Sequence, residues 1–206
     1  MMRTRRYVIP ALFLSLLVMS GCLSLGKGTV TSTKMYVLRA LDTAEKQNVS
    51  EELGDAIIGV GPVRLAAYLN RPQIITRVDD NQVRLAEFDW WAEPLEDGIP
   101  KALTENVSIL LGSAKVIAAP WGGDLKIRYR VPVNVIRFDA RFDGDAVLTV
   151  QWDVIDGQDV SLLTRMSTYR VHVAEHSYDA VVAAENRILE DFSRDVAKAI
   201  RGLMTR

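Results

Sequence analysis

Long stretches in the second half of the chain alternate apolar and polar residues with the period of two that a β-strand requires. Ile127, Tyr129, Val131, Val133 and Val135 alternate with Lys126, Arg128, Arg130 and Asn134. Leu148, Val150, Trp152 and Val154 alternate with Thr149, Gln151 and Asp153, and Tyr169, Val171 and Val173 with Arg170 and His172. Gly122-Gly123, Asp143-Gly144 and Asp156-Gly157 supply turn signals, so the region predicts a β-meander. Earlier in the chain, Ala56 to Val60 is a continuous apolar run, the pattern of a strand covered on both faces, which Gly61-Pro62 is expected to end. Met35 to Leu38 predicts a short strand and the polar stretch Asp42 to Gly54 a loop. Leu65 to Leu69 has room for one helical turn before Arg71-Pro72, and Gln73–Arg77 with Gln82–Glu87 predict a hairpin around Asp79-Asp80-Asn81.

The pattern changes to a helical period twice. Leu95, Ile99, Leu103, Val107, Leu110 and Leu111 form one apolar stripe that Gly112 is placed to stop. Pro100 requires this helix either to begin there or to kink there. The second stripe, Val181, Ile188, Leu189, Phe192, Val196, Ile200 and Leu203, predicts a helix from about Tyr178 to Met204 capped by Ser177. Strands, helix, meander and helix together predict a single α/β domain, with two main helices packed on a mixed sheet.

The N-terminus has a different logic. Arg3, Arg5 and Arg6 precede the apolar run Tyr7 to Met19, after which Ser20 and Gly21 lead into Cys22, the only cysteine. Basic, apolar and small residues in that order are a secretory signal, and the apolar run is too short to span a bilayer. Met19-Ser20-Gly21-Cys22 fits a bacterial lipobox, in which the thiol takes a diacylglycerol and the new amine is acylated. Two or more acyl chains hold a protein on a membrane where one does not. The expected organisation is a cleaved signal over 1–21, a lipidated tether over 22–33 and a folded domain over 34–206. The Gly-, Ser- and Thr-rich tether reaches roughly 18 Å on average. Leu23, where an aspartate would favour inner-membrane retention, favours outer-membrane sorting. Without its signal the chain carries 25 − 3 = 22 basic and 26 acidic residues, a mildly acidic balance unlike that of a nucleic-acid binder.

Some motifs are specific enough to carry a resemblance. Ile58-Gly59-Val60-Gly61-Pro62-Val63, Tyr68-Leu69-Asn70-Arg71-Pro72-Gln73-Ile74-Ile75-Thr76-Arg77 and Leu85-Ala86-Glu87-Phe88-Asp89-Trp90-Trp91-Ala92-Glu93-Pro94-Leu95 resemble the ABC-type transport auxiliary lipoproteins. The likeness extends through Leu103–Leu111 and Tyr178–Ile200. Family members more usually have Asp at the position of Asn70 and Arg at that of Trp90. The resemblance implies a non-enzymatic lipoprotein of the outer membrane facing the periplasm. It would work with an MCE-domain (mammalian cell entry) protein and an ABC permease and ATPase that move lipid between membranes. A ring of copies would suit an oligomeric channel, and no cofactor is implied beyond the lipid on Cys22. The rivals are a carrier holding acyl chains in its own cavity and a periplasmic hydrolase.

Catalytic chemistry finds no support in the residues. His172-Val173-Ala174-Glu175-His176 matches the H-x-x-E-H signature of inverted zinc proteases, which needs a helix to bring both imidazoles to one ion. Here it continues an alternating strand, where residues four apart are separated by about 13 Å. No Gly-x-Ser-x-Gly elbow or phosphate loop is present, and the cysteine is committed to lipid. Asn48-Val49-Ser50 and Asn106-Val107-Ser108 match a glycosylation sequon that a bacterial lipoprotein would not use. Lys126, Arg128 and Arg130 share a strand face suited to lipid phosphates, an acidic partner or plain solvation. Trp90 and Trp91 are neighbours whose indoles point apart, so one is expected in the core and the other at a partner. Tyr68, Arg71, Gln73, Trp90 and Trp91 are the expected contact surface.

Overall fold

The computed structural model describes residues 32–42, 44 and 54–205. The signal, Cys22, most of the tether and most of the Asp42–Gly54 loop lie outside the described residues. The elements are β1 (Lys34–Tyr36), β2 (Ile57–Leu65), a 3₁₀ turn (Ala67–Leu69), β3 (Gln73–Arg77), β4 (Val83–Trp91), α1 (Leu95–Leu111), β5 (Val116–Ala118), β6 (Ile127–Ala140), β7 (Asp145–Asp156), β8 (Ser161–His172) and α2 (Tyr178–Met204). This is the α/β domain with a mixed sheet and two main helices that the sequence predicts.

β6 is the spine of the sheet. Antiparallel β7 runs along one edge and carries β8 beyond it, so 127–172 forms the expected meander. Along its other edge lie β2, parallel to residues 127–135, and then β3, which meets β6 at Thr76↔Ala140. Outside β2 lies parallel β5, and outside β3 lie antiparallel β4 and then parallel β1. α1 packs over β2 and β5, α2 over β6, β7 and β8, and the helices touch each other, so both cover the same face.

The alternation works as anticipated. Leu148, Val150, Trp152 and Val154 are all buried and face α2, where Trp152 meets Phe192 edge-on with ring centroids 5.7 Å apart. Each large side chain sequestered in this way contributes roughly 1.5–3 kcal/mol. The apolar run at the start of β2 is covered on both sides. Ile58 and Val60 face the helices, and Gly59 lies beneath the indole of Trp121, where a Cβ would stand 2.6 Å from a ring carbon.

β2 differs from expectation at its end. It passes through Gly61-Pro62 to Leu65, with a register shift between Val60 and Val63 that lets the proline sit in the irregularity. Gly61 has φ 107°, a conformation that suits a residue without Cβ. α1 begins at Leu95, ahead of Pro100, with Glu96 and Asp97 in its first turn and Gly112 closing it in the left-handed conformation (φ 63°). Ser177 caps α2, its Oγ accepting from the Ala180 N–H at 3.2 Å.

The helix pair also holds a buried polar seam. Asn106 donates through Nδ2 to Ser193 Oγ (3.0 Å), joining α1 to α2. Its Oδ1 accepts from the Leu41 N–H (2.7 Å), while Asn186 Oδ1 accepts from the Arg39 N–H (2.9 Å). Asn106 is therefore fully buried, in no position to serve as a sequon. Among the described residues no helix is long and apolar enough to cross a membrane.

Candidate functional site

The Tyr-Leu-x-Arg-Pro-Gln block forms the link from β2 to β3. Leu69 drops into the core at the 3₁₀ turn, which leaves Tyr68 and Arg71 half-buried at the surface. Arg71 folds back, its Nε donating to the Tyr68 carbonyl at 2.8 Å. The Pro72 carbonyl accepts from the Trp91 N–H at 2.6 Å and starts the β3–β4 pairing. In that register Gln73 stands opposite Trp90, so the two share one face of the hairpin. Trp90 is half-buried, with Nε1 donating to the Glu87 carbonyl at 3.1 Å.

Trp91 belongs elsewhere. It is 5% exposed and lies in the core, on the opposite side of β4 from its neighbour. The expected contact surface is therefore corrected by one member: Trp91 offers no indole to a partner, because strand alternation turns it inward. The structure brings Gln73 and Trp90 together, and Arg71 with Tyr68.

Beneath Tyr68 lies a charged cluster that the sequence reading missed. Asp139, fully buried at the end of β6, accepts from Tyr68 Oη at 2.9 Å, from Arg77 Nε at 3.0 Å and Nη2 at 2.8 Å, and from Arg137 Nε at 2.8 Å. Burial opposes ionisation of Asp139, but these donors outweigh it and hold the carboxyl below its usual range. Burial, followed by the charge of Asp139, pushes the Tyr68 phenol up to about 12. Glu185 of α2 is also buried, and its Oε2 has no hydrogen-bond partner among the described residues. Burial first and the Asp139 charge second raise its carboxyl well above the ordinary value, so it stays protonated well above that value. The sequence signal for Asp139 was a charge set between Phe138 and Ala140, two residues after Arg137, at the end of the strand.

The remaining candidates are dispersed. His172 ends β8 and faces Asp145 (3.4 Å), whereas His176 stacks on Phe142 (centroids 4.3 Å apart) and faces Asp143 (3.3 Å). They share no helix, and among the described residues no group of three or more His, Cys, Asp or Glu side chains is placed to hold a metal. Arg130 pairs with Asp159, Arg128 lies over the Tyr129 ring at 5.5 Å, and Lys126 is exposed just before β6. Grooves between α1 and β5 and between β8 and α2 carry charged side chains, among them Glu96, Asp97, Glu105, Arg165, Asp195 and Lys198.

Residues 36–197 match the family described as ABC-type transport auxiliary lipoprotein component. The chain belongs to this family. Over 117 residues it is 24% identical to the intermembrane transport lipoprotein PqiC of Escherichia coli, and equally to that of Shigella flexneri. Each match takes in 57% of the chain and 60% of the relative, so the chain spans less than two thirds of these curated relatives. A crystal structure of an uncharacterised protein superposes with a TM-score of 0.67 at 22% identity, covering 82% of this chain and 99% of that one. A protein of Xanthomonas campestris gives 0.63 at 16% identity, covering 80% and 93%. Both share the fold of this auxiliary lipoprotein.

Proposed function

We propose that the protein is a non-enzymatic docking component of an ABC-type lipid transporter, lipidated at Cys22, held at the periplasmic face of the outer membrane and receiving an MCE-domain partner. The observation that carries this reading is the family match across 36–197, which takes in nearly every described element and the whole Tyr68–Trp91 region. The lipobox supplies an anchor, and the face shared by Gln73 and Trp90, with Arg71 and Tyr68 on the preceding turn, supplies half-buried aromatic and guanidinium groups of the kind that anchor interfaces. The buried Asp139 cluster holds Tyr68 from below, which makes that turn a rigid platform. Assembly of several copies into a ring would seat an oligomeric channel. The carrier reading draws no support from the grooves, whose charged linings do not suit acyl chains.

Capture of a purified MCE-domain partner by the wild-type lipoprotein, and by Arg71→Ala and Trp90→Ala variants, tests the docking face. Weakened capture by both variants is expected, and undiminished capture by both overturns the face. Membrane fractionation of Cys22→Ser tests the anchor. Release from the membrane is expected, and retention with normal processing overturns it.

A further inference from the structure

Among the described residues β5 is the last strand on its side of the sheet. The Lys115 carbonyl accepts from the Ile58 N–H at 2.9 Å and the Ala119 N–H donates to the Val60 carbonyl at 2.9 Å, so these alternate residues are turned towards β2. Strand geometry then points the N–H and C=O of Val116 and Ala118 outward, and among the described residues nothing takes them up. A groove of about 410 Å³ runs beside this edge, with α1 as its other wall.

The wall suits an inserted strand. Pro100, Thr104 and Ser108 stand four residues apart on α1, forming a low row along the groove. Their hydroxyls are already engaged, Thr104 Oγ1 donating to the Pro100 carbonyl and Ser108 Oγ to the Ser113 carbonyl, each at 2.7 Å. On the rim stand exposed Glu96, Asp97 and Glu105, and among the described residues lining the groove the one ammonium is that of Lys101, 3.4 Å from Glu93.

We infer that this groove takes an extended, basic segment of a partner protein, which adds as a strand to β5 and lays its lysines or arginines against Glu96, Asp97 and Glu105. The free edge supplies main-chain hydrogen bonds and the carboxylates supply the preference for cations. An acyl chain would leave the outward amides of Val116 and Ala118 unpaired, and an anionic headgroup would meet like charge. The groove lies on different elements from the Gln73–Trp90 face, so failure of either surface leaves the other standing.

The test uses the full-length lipoprotein in detergent micelles and a fluorescein-labelled peptide, Lys-Val-Lys-Thr-Lys-Val-Lys-Thr-Lys, beside a counterpart with glutamate at every lysine. The basic peptide is expected to bind saturably and to slow amide exchange at Val116 and Ala118, and the acidic one not to bind. Ala118→Pro removes an outward N–H that β2 does not use, and Asp97→Lys with Glu105→Lys reverses exposed charge. Each is expected to weaken binding about tenfold or more while circular dichroism is unchanged. No binding, equal binding of the acidic peptide, or binding unaltered by both variants overturns the proposal. So does sedimentation showing that copies of this chain associate through β5 and separate in Ala118→Pro, which would assign the groove to a second copy.

Discussion

Arg77 grips Asp139 with a two-pronged hydrogen bond, Nε to Oδ1 at 3.0 Å and Nη2 to Oδ2 at 2.8 Å. The pair sits one residue from Thr76↔Ala140, where β3 meets β6. Backbone pairing at this junction is a single bridge, so the side-chain fork is a second direct tie between β3 and β6, beside the core they share.

Asp139→Ala is therefore expected to destabilise the fold by about 3–5 kcal/mol in chemical denaturation, since it strands Arg77 and the Tyr68 hydroxyl. Amide exchange should accelerate across 73–91 before it does in β7. The depressed carboxyl also fixes a pH dependence. Its stabilisation is present above the ordinary value of 3.8 and lost as pH falls below it through the lower value of the folded state. Uniform exchange in the variant would argue against a junction role.

Glu185 has the opposite sign. Its raised carboxyl makes the protonated form native, so its contribution is complete below the ordinary value of 4.5 and is lost as pH rises from there through the folded-state value. Glu185→Gln mimics the protonated acid and should raise the melting temperature at pH 8 relative to wild type, with the gain shrinking towards pH 4. A gain independent of pH would reject this titration.

Much of the architecture was legible because amphipathic periods report burial directly. The strand faces of β7 and the stripe of α2 need no knowledge of distant residues, and the turn signals mark where each ends. Asp139 was not legible, because its partner Arg77 is 62 positions away and only the parallel approach of β3 to β6 joins them. The passage of β2 through Gly61-Pro62 was hidden for a related reason: a bulge depends on the neighbouring strand as well as on the proline. Trp90 and Trp91 were separable in principle by alternation, but which of them faced inward depended on where the core lay.

The two indoles make a matched test. Trp91→Ala should cost about 3–5 kcal/mol by opening a cavity, whereas Trp90→Ala should change stability by less than about 1 kcal/mol. Equilibrium denaturation of both variants checks this, and equal losses would contradict the assignment of faces.

Gly59→Ala places a methyl 2.6 and 2.8 Å from carbons of the Trp121 ring. The indole must leave, with an expected loss of about 1–3 kcal/mol. Its emission should shift to the red, a change that a Trp121→Phe background would remove. Unchanged emission would mean that the ring accommodates the methyl in place.

Asn106 and Asn186 each hold one backbone amide of the segment that follows β1, at Leu41 and Arg39. A load entering through residue 33 would first meet a three-residue edge strand, and then these two carboxamides, each rooted in a different helix. Traction applied there would thus be shared between α1 and α2 once β1 had parted from β4.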